Sequence, residues 1–131
     1  MQIEIFTLCD SAQVYAGKAV ILGAFNQIKA KKLPAVVPNL TLAVRVALEK
    51  EEAGDKSFFF DIKNPDGSTL VPELCCEAKQ MLPLEQQGPL INYDMNIVLN
   101  NIPLCQFGAY VVTMRLDEKK YHLKFYVLGD K

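Results

Sequence analysis

Few side chains in this chain of 131 residues could perform acid–base or nucleophilic chemistry. His122 is the one histidine, so a Ser-His-Asp or Cys-His site would have to use it. It shares an alternating polar phase with Lys120 and Lys124, which is typical of the exposed face of a strand. The sequence has no nucleophile-elbow, dinucleotide-binding or P-loop motif. We therefore predict no catalytic residue and no enzymatic activity, with a small hydrolase-like enzyme as an alternative.

The thiols and carboxylates do not occur in metal-binding patterns. The four cysteines are Cys9, Cys75, Cys76 and Cys105, and no two of them have the C-x-x-C spacing. Adjacent Cys75 and Cys76 would point to opposite faces of a strand, away from a common ligand. The carboxylates near turns, Asp66, Asp94, Asp117 and Asp130, form no calcium-loop pattern. We predict free thiols, no metal and no cofactor, and keep a sugar- or calcium-binding β-sandwich as an alternative.

The charge pattern argues against a nucleic-acid partner. The formal net charge is −1, and the best basic cluster consists of Lys29, Lys31 and Lys32 with Phe25 as its one aromatic neighbour. Lysines on an outer strand discourage pairing between sheet edges, which is the role we predict for these three. The same stretch contains Pro34 and Pro38, so it should be a connection or an edge strand.

The elements that must position these residues are strands. Apolar residues occupy every second position at Leu40, Leu42, Val44, Val46 and Leu48, and again at Phe58, Phe60 and Ile62. A charged loop with Gly54 lies between the two runs. We predict a long β-hairpin from Leu40 to Lys63.

The remaining chain repeats this pattern between strong turn signals. Ala16-Gly17-Lys18 and Asn64-Pro65-Asp66-Gly67 are the clearest turns, and Gly23 suggests a bulge or a close backbone approach. About eight strands and no helical period follow. We predict one all-β domain over 1–131, a two-sheet antiparallel β-sandwich. The predicted core consists of Val44, Val46, Phe60, Ile97, Leu99, Val112, Met114, Leu123 and Phe125.

A short motif before one strand refines this prediction. Gly108-Ala109-Tyr110 places a tyrosine just after a small-residue turn, as at the tyrosine corner of immunoglobulin-like domains, where the hydroxyl anchors the turn. A core tyrosine with its hydroxyl at the rim is the alternative. We predict an immunoglobulin-like sandwich.

No targeting or membrane signal is evident. The opening MQIEIFTLCD lacks the basic start and long apolar run of a signal peptide. The longest apolar run, from Ala19 to Phe25, is too short to span a bilayer. We predict a cytoplasmic protein without a membrane partner.

Four apolar residues fall in phases that should be polar: Phe59, Val98, Val111 and Tyr126. If they lie together on one sheet, they would form a surface for a partner. We predict a non-enzymatic protein-binding or assembly module that presents a sheet face or an edge strand to a protein partner or to a second copy. The strands at Tyr121–Val127 or Glu73–Gln80 are the expected edges, because they are less guarded by lysine and proline.

Several turn and core motifs together resemble a known family. They are Phe6-Thr7-Leu8-Cys9-Asp10, Ala12-Gln13, Gly17-Lys18, Gly23, the stretch from Pro34 to Leu42, Pro65-Asp66-Gly67 and Gly108-x-Tyr110. The chain resembles a family of small bacterial proteins of unknown function. The resemblance implies a bacterial, single-domain, mainly β protein, and it assigns no catalytic or binding residue.

Overall fold

The computed structural model describes residues 1–52, 54–74, 78–81 and 89–129. The strands are β1 (Gln2–Cys9), β2 (Ser11–Tyr15), β3 (Lys18–Leu22), β4 (Gln27–Ala30), β5 (Ala35–Glu49), β6 (Asp55–Lys63), β7 (Ala78–Met81), β8 (Leu90–Leu104), β9 (Gly108–Leu116) and β10 (Lys119–Gly129). Two short 3-10 helices, Lys50–Glu52 and Pro72–Leu74, are the only helices in these ranges. Neither is long and apolar enough to cross a membrane. The predicted all-β class is therefore confirmed, with ten strands rather than about eight.

A three-stranded sheet has the order β1-β5-β8, with antiparallel pairing throughout. Its central strand, β5, pairs with β8 from Ala35 to Glu49, but with β1 only from Thr41 to Ala47. Pro38 lacks a backbone amide, and no strand needs one at this position. It lies before the segment of β5 that pairs with β1, and no residue of β8 pairs with it. Asn101, opposite this irregularity, has a positive φ of 54°.

A five-stranded sheet has the order β4-β10-β9-β6-β7. Its pairs are antiparallel except for β4 and β10, which run parallel through Tyr126–Gly129. The prediction of purely antiparallel sheets is wrong at this pair. Here β4 reaches the sheet edge through a connection from another sheet, so the direction of β4 is not set by a hairpin turn.

The predicted hairpin from Leu40 to Lys63 is wrong. Both runs are strands, but β5 pairs with β1 and β8 while β6 pairs with β9 and β7. The connection from Lys50 to Gly54 therefore joins two different sheets, and Gly54 has a φ of +124°. An alternating pattern shows which face of a strand is buried, but it does not show which strand is its neighbour.

One apolar cluster receives side chains from both larger sheets. Six of the nine predicted core residues are buried: Val44, Val46, Phe60, Val112, Met114 and Phe125. Ile97, Leu99 and Leu123 are only partly buried, although they pack against the cluster. Ile97 and Leu99 lie on β8, an outer strand, which leaves their side chains open on one side.

The hairpin of β2 and β3 covers the outer side of the three-stranded sheet. Its turn has positive φ at Ala16 and Gly17, as predicted for that position. Arg45 on β5 donates from Nη2 to the Gly17 carbonyl at 3.0 Å. Ala43 is 2% exposed on the covered side, which shows that this alternate phase of β5 is also buried.

Both predicted corner motifs form. In the turn after β6, the Gly67 amide donates to the Asn64 carbonyl at 2.9 Å and Gly67 has a φ of +89°. The Tyr110 hydroxyl donates to the Gln106 carbonyl at 2.8 Å, which is the contact expected of a tyrosine corner. A Cβ on Gly108 would meet the Pro65 ring at 3.3 Å, so the two corners lie against each other.

Candidate functional site

The outer side of the five-stranded sheet gathers most of the residues that the sequence singled out. Residues directly opposite each other on neighbouring strands share a face. The register places the following residues side by side in five rows across the strands: Lys29 with Leu128; Gln27 with Tyr126 and Ala109; Lys124 with Val111 and Lys63; His122 with Thr113 and Asp61; and Lys120 with Arg115 and Phe59. The alternate residues are buried, such as Phe125 and Val112, or partly buried against the core, such as Leu123, so these rows point away from the core. We call this surface the basic face.

The five rows of the basic face have an excess of positive charge. Their cations are Lys29, Lys63, Arg115, Lys120 and Lys124, and their one carboxylate is Asp61. Asp55 on β6 and Asp117 just after β9 lie beyond the row of Phe59. Asp61 is only 8% exposed, and its Oδ2 lies 3.2 Å from Lys63 Nζ. Because Lys63 offsets Asp61, the net charge that this face presents to solvent is positive.

Aromatic and apolar side chains lie between the cations. The Arg115 guanidinium lies 5.0 Å from the centroid of the Phe59 ring, a cation–π contact. Tyr126 and Leu128 are 39% and 37% exposed at the other end of the face. Three of the four predicted interface residues, Phe59, Val111 and Tyr126, therefore share one face.

These three residues do not form one continuous apolar patch, since the rows of Val111 and Thr113 carry lysines and His122 between Phe59 and Tyr126. Val98 lies on β8 of the other large sheet and is 55% exposed. Their role as an interface stays a prediction.

His122 lies in the middle of this face. It is exposed, and its Nδ1 is 3.1 Å from the Thr113 hydroxyl on the neighbouring strand. Lys120 and Lys124 lie two residues away from it on either side along the strand. This surrounding favours binding of an anion over proton transfer in a closed site.

Half of strand β10 has an open backbone edge. On the side away from β9, β4 pairs only with Tyr126–Gly129. The preceding segment, Lys119–Phe125, has no strand on that side among the described residues. This explains why Tyr121 and Leu123 are only partly buried. An extended chain could pair there, next to the side chains of Lys120 and Lys124.

The other expected edge is more limited than the sequence indicated. Within Glu73–Gln80, the structure has the 3-10 helix Pro72–Leu74 and then β7 from Ala78, while residues 75–77 lie outside the described ranges. The β7 strand does form the outer edge of its sheet, but it is four residues long. Of the three lysines predicted to guard an edge, Lys29 lies on β4 at the opposite edge, whereas Lys31 and Lys32 follow the end of that strand. Their guarding role stays a prediction.

A shallow cleft between β4 and the start of β5 is one alternative site. It has a volume of about 430 Å³ and is lined mainly by apolar or uncharged residues, with Asp10 as the one titratable group in its described lining. Gly23 has a φ of +69°, and a Cβ there would lie 2.3 Å from an Asp10 carboxylate oxygen. The close backbone approach predicted at Gly23 is confirmed, because the Asp10 amide donates to the Gly23 carbonyl at 3.2 Å. The described lining of this cleft therefore brings no acid–base pair together.

No group of three or more His, Cys, Asp or Glu side chains is placed to hold a metal ion within the described ranges. The two described cysteines are free thiols: Cys9 is buried and Cys105 is exposed. Burial raises the pKa of the Cys9 thiol, and its Sγ lies 3.6 Å from the Thr41 carbonyl. Cys75 and Cys76 lie outside the described residues.

Sequence reasoning missed the basic face as a whole. Lys120, His122 and Lys124 were visible as one polar phase, but they were interpreted as an ordinary solvated strand. The register of β9 and β6 adds Arg115 and Lys63 to the same surface. Only strand pairing could show this, because the five cations come from four different strands.

One protein-family model, described as a family of unknown function (DUF6941), matches residues 4–128. The chain therefore belongs to this family, as the motifs quoted from the sequence indicated. The search of curated proteins gave no match.

Proposed function

We propose that this member of the family of unknown function DUF6941 is a non-enzymatic binding module whose basic face holds an acidic, extended segment of another protein. The observation that carries the proposal is the excess of cations on one sheet face beside an open backbone edge, Lys119–Phe125. The segment would pair along this edge as an added strand. Its alternate carboxylates would then lie beside Lys120 and Lys124.

Charge and backbone have separate roles in this arrangement. Ladder hydrogen bonds to the open edge would supply affinity without regard to side chains. The lysines would supply selectivity, because a basic or neutral strand gains nothing from them and a second copy of β10 would be repelled. A segment with a carboxylate at every second residue fits the period of the strand.

An acidic peptide is favoured over a nucleic acid by the scarcity of exposed rings on the described part of this face. Single-stranded nucleic acids are bound by several exposed aromatic rings. On the described part of this face, one side of the Phe59 ring carries Arg115, which leaves Tyr126 as the more exposed ring.

A binding module is favoured over an enzyme because the clefts that gather several charged groups, such as the one with Glu52, Lys56 and Asp117, have no histidine or cysteine in their described lining. The basic face is open, and the cleft near Asp10 has a single carboxylate in its described lining. We also propose that the two larger sheets form an immunoglobulin-like sandwich, a proposal supported by their shared apolar cluster and by the Tyr110 corner. The cytoplasmic location and the bacterial source stay predictions.

Charge reversal tests the proposed binding. The probe is a fluorescent peptide of alternating Glu and Thr, and its binding is followed by anisotropy at low and at physiological salt. We expect saturable binding that weakens with salt, and a loss of about tenfold in affinity, or about 1.4 kcal/mol, for the double variant Lys120→Glu/Lys124→Glu. The control Lys18→Glu/Lys50→Glu has the same net charge but changes lysines on other elements, and it should bind like the wild type.

Two outcomes would contradict the proposal. Equal loss in both double variants would show that net charge, rather than the basic face, controls binding. Tighter binding of an oligothymidine strand than of the acidic peptide would reassign the face to nucleic acid.

A further inference from the structure

Strand β8 presents the longest open edge of the molecule's described part. It pairs with β5 from Leu90 to Leu104, and no described strand pairs with its other side. The outer edge of a strand of this length is a template for another strand. This edge belongs to the three-stranded sheet and is separate from the basic face.

The β8 edge lacks the protection seen at other edges. The β4 edge has Lys29, and the open half of β10 has Lys120 and Lys124. Strand β8 contains no lysine or arginine, and its proline, Pro103, lies near one end. The one charge on β8, Asp94, is held by Arg45 through contacts of 2.7 Å from Nε and 3.1 Å from Nη2. The stretch from Tyr93 to Asn100 therefore has no lysine, arginine or proline to guard it.

The apolar side chains of this stretch are more exposed than those of the buried core strands. On the inner phase, Tyr93, Met95, Ile97 and Leu99 pack against the apolar cluster but are only partly buried. On the outer phase, Val98 is 55% exposed between asparagines. An additional strand beside β8 would cover the open sides of both rows.

The order of residues in β8 indicates which strand would pair with its open edge. Counting outward from Asn96 in both directions, residues of the same type stand at three of the four positions on each side. Antiparallel pairing with an identical strand about this centre places Tyr93 opposite Leu99, Met95 opposite Ile97, Asn92 opposite Asn100 and Asp94 opposite Val98. Apolar residues meet apolar residues, amides meet amides, and no like charges face each other. A register centred on Asp94 would instead place two carboxylates opposite each other.

We propose that β8 pairs with β8 of a second copy about a twofold axis at Asn96. The two three-stranded sheets then form one continuous sheet of six strands, three from each copy. The β2–β3 hairpin lies near Asp94 and Asn96 on the outer side of the three-stranded sheet. The second copy would therefore approach the backbone edge of β8 rather than the outer face of the sheet. Self-pairing accounts for the incomplete burial of the β8 apolar row, which a partner bound only at the basic face would leave open.

Charge substitution at the axis tests this proposal. Asn96 is exposed, so Asn96→Lys and Asn96→Asp should each fold, as checked by circular dichroism. On the axis each substitution places two like charges opposite each other, and we expect loss of the dimer in both variants by sedimentation velocity. Mixing the two variants should restore a dimer, because lysine then faces aspartate. The control substitutions are Asn26→Lys and Asn26→Asp, at another exposed asparagine.

The proposal is overturned by a wild type that stays monomeric at high concentration, or by a dimer that both Asn96 variants retain. Failure of the mixture to dimerise would also overturn the twofold register. The double variant Lys120→Glu/Lys124→Glu should remain dimeric, so loss of acidic-peptide binding and loss of self-pairing are distinguished.

Discussion

At the scale of single residues, Tyr110 best shows how a short motif determines a local structure. Its ring is fully buried and stacks on Phe125 with centroids 4.9 Å apart, while its hydroxyl reaches the Gln106 carbonyl. The corner could be predicted because its partner lies four residues away and its geometry needs only the intervening turn. Burial raises the pKa of the Tyr110 hydroxyl, since the charged form would lose its hydration.

Tyr110→Phe should therefore change both stability and its pH dependence. Removing the hydroxyl leaves the Gln106 carbonyl without this donor and should cost about 1 kcal/mol of unfolding free energy in urea at neutral pH. Because the folded pKa of Tyr110 is above the unfolded one, its contribution is present below pH ~10 and is lost as the pH rises through the folded value. The variant should thus lose less stability between neutral and alkaline pH than the wild type. Equal stability at neutral pH would show that the hydrogen bond contributes nothing.

At the scale of elements, the strands were predictable and their partners were not. Alternation identified both β5 and β6 and the side of each that faces the core, but not the burial of the other side of β5. Their pairing depends on contacts with β1, β8 and β9 that are distant in sequence, and a charged loop with a glycine serves a hairpin and a sheet crossing equally well. The parallel β4–β10 pair could not be predicted for the same reason.

Neighbouring positions on β6 test the assignment of its faces. Phe60 is 6% exposed in the core, whereas Phe59 is half-buried on the basic face. We expect Phe60→Ala to cost about 3–5 kcal/mol in a denaturant titration, because it leaves a cavity. Phe59→Ala removes the contact with Arg115 and should cost much less. A loss below about 1 kcal/mol for Phe60→Ala would mean that the phase of this strand is wrong.

At the scale of the whole molecule, two surfaces follow from strand order. Register gathers cations from four strands onto one sheet face, and strand order leaves β8 at the outside of the other sheet. Composition gave no hint of either surface, since fourteen basic and fifteen acidic residues nearly cancel. The predicted interface set divides accordingly: Val98 lies on β8, and the other three lie on the basic face.

Hydrogen exchange of the backbone amides, measured with and without the peptide of alternating Glu and Thr, tests the central claim most directly. A bound strand would accept hydrogen bonds from outward-pointing amides of the open β10 edge. We predict that exchange slows within Lys119–Phe125 and not around the cleft at Asp10. Slower exchange at the cleft, with no change within Lys119–Phe125, would contradict the proposal that the basic face binds an acidic segment.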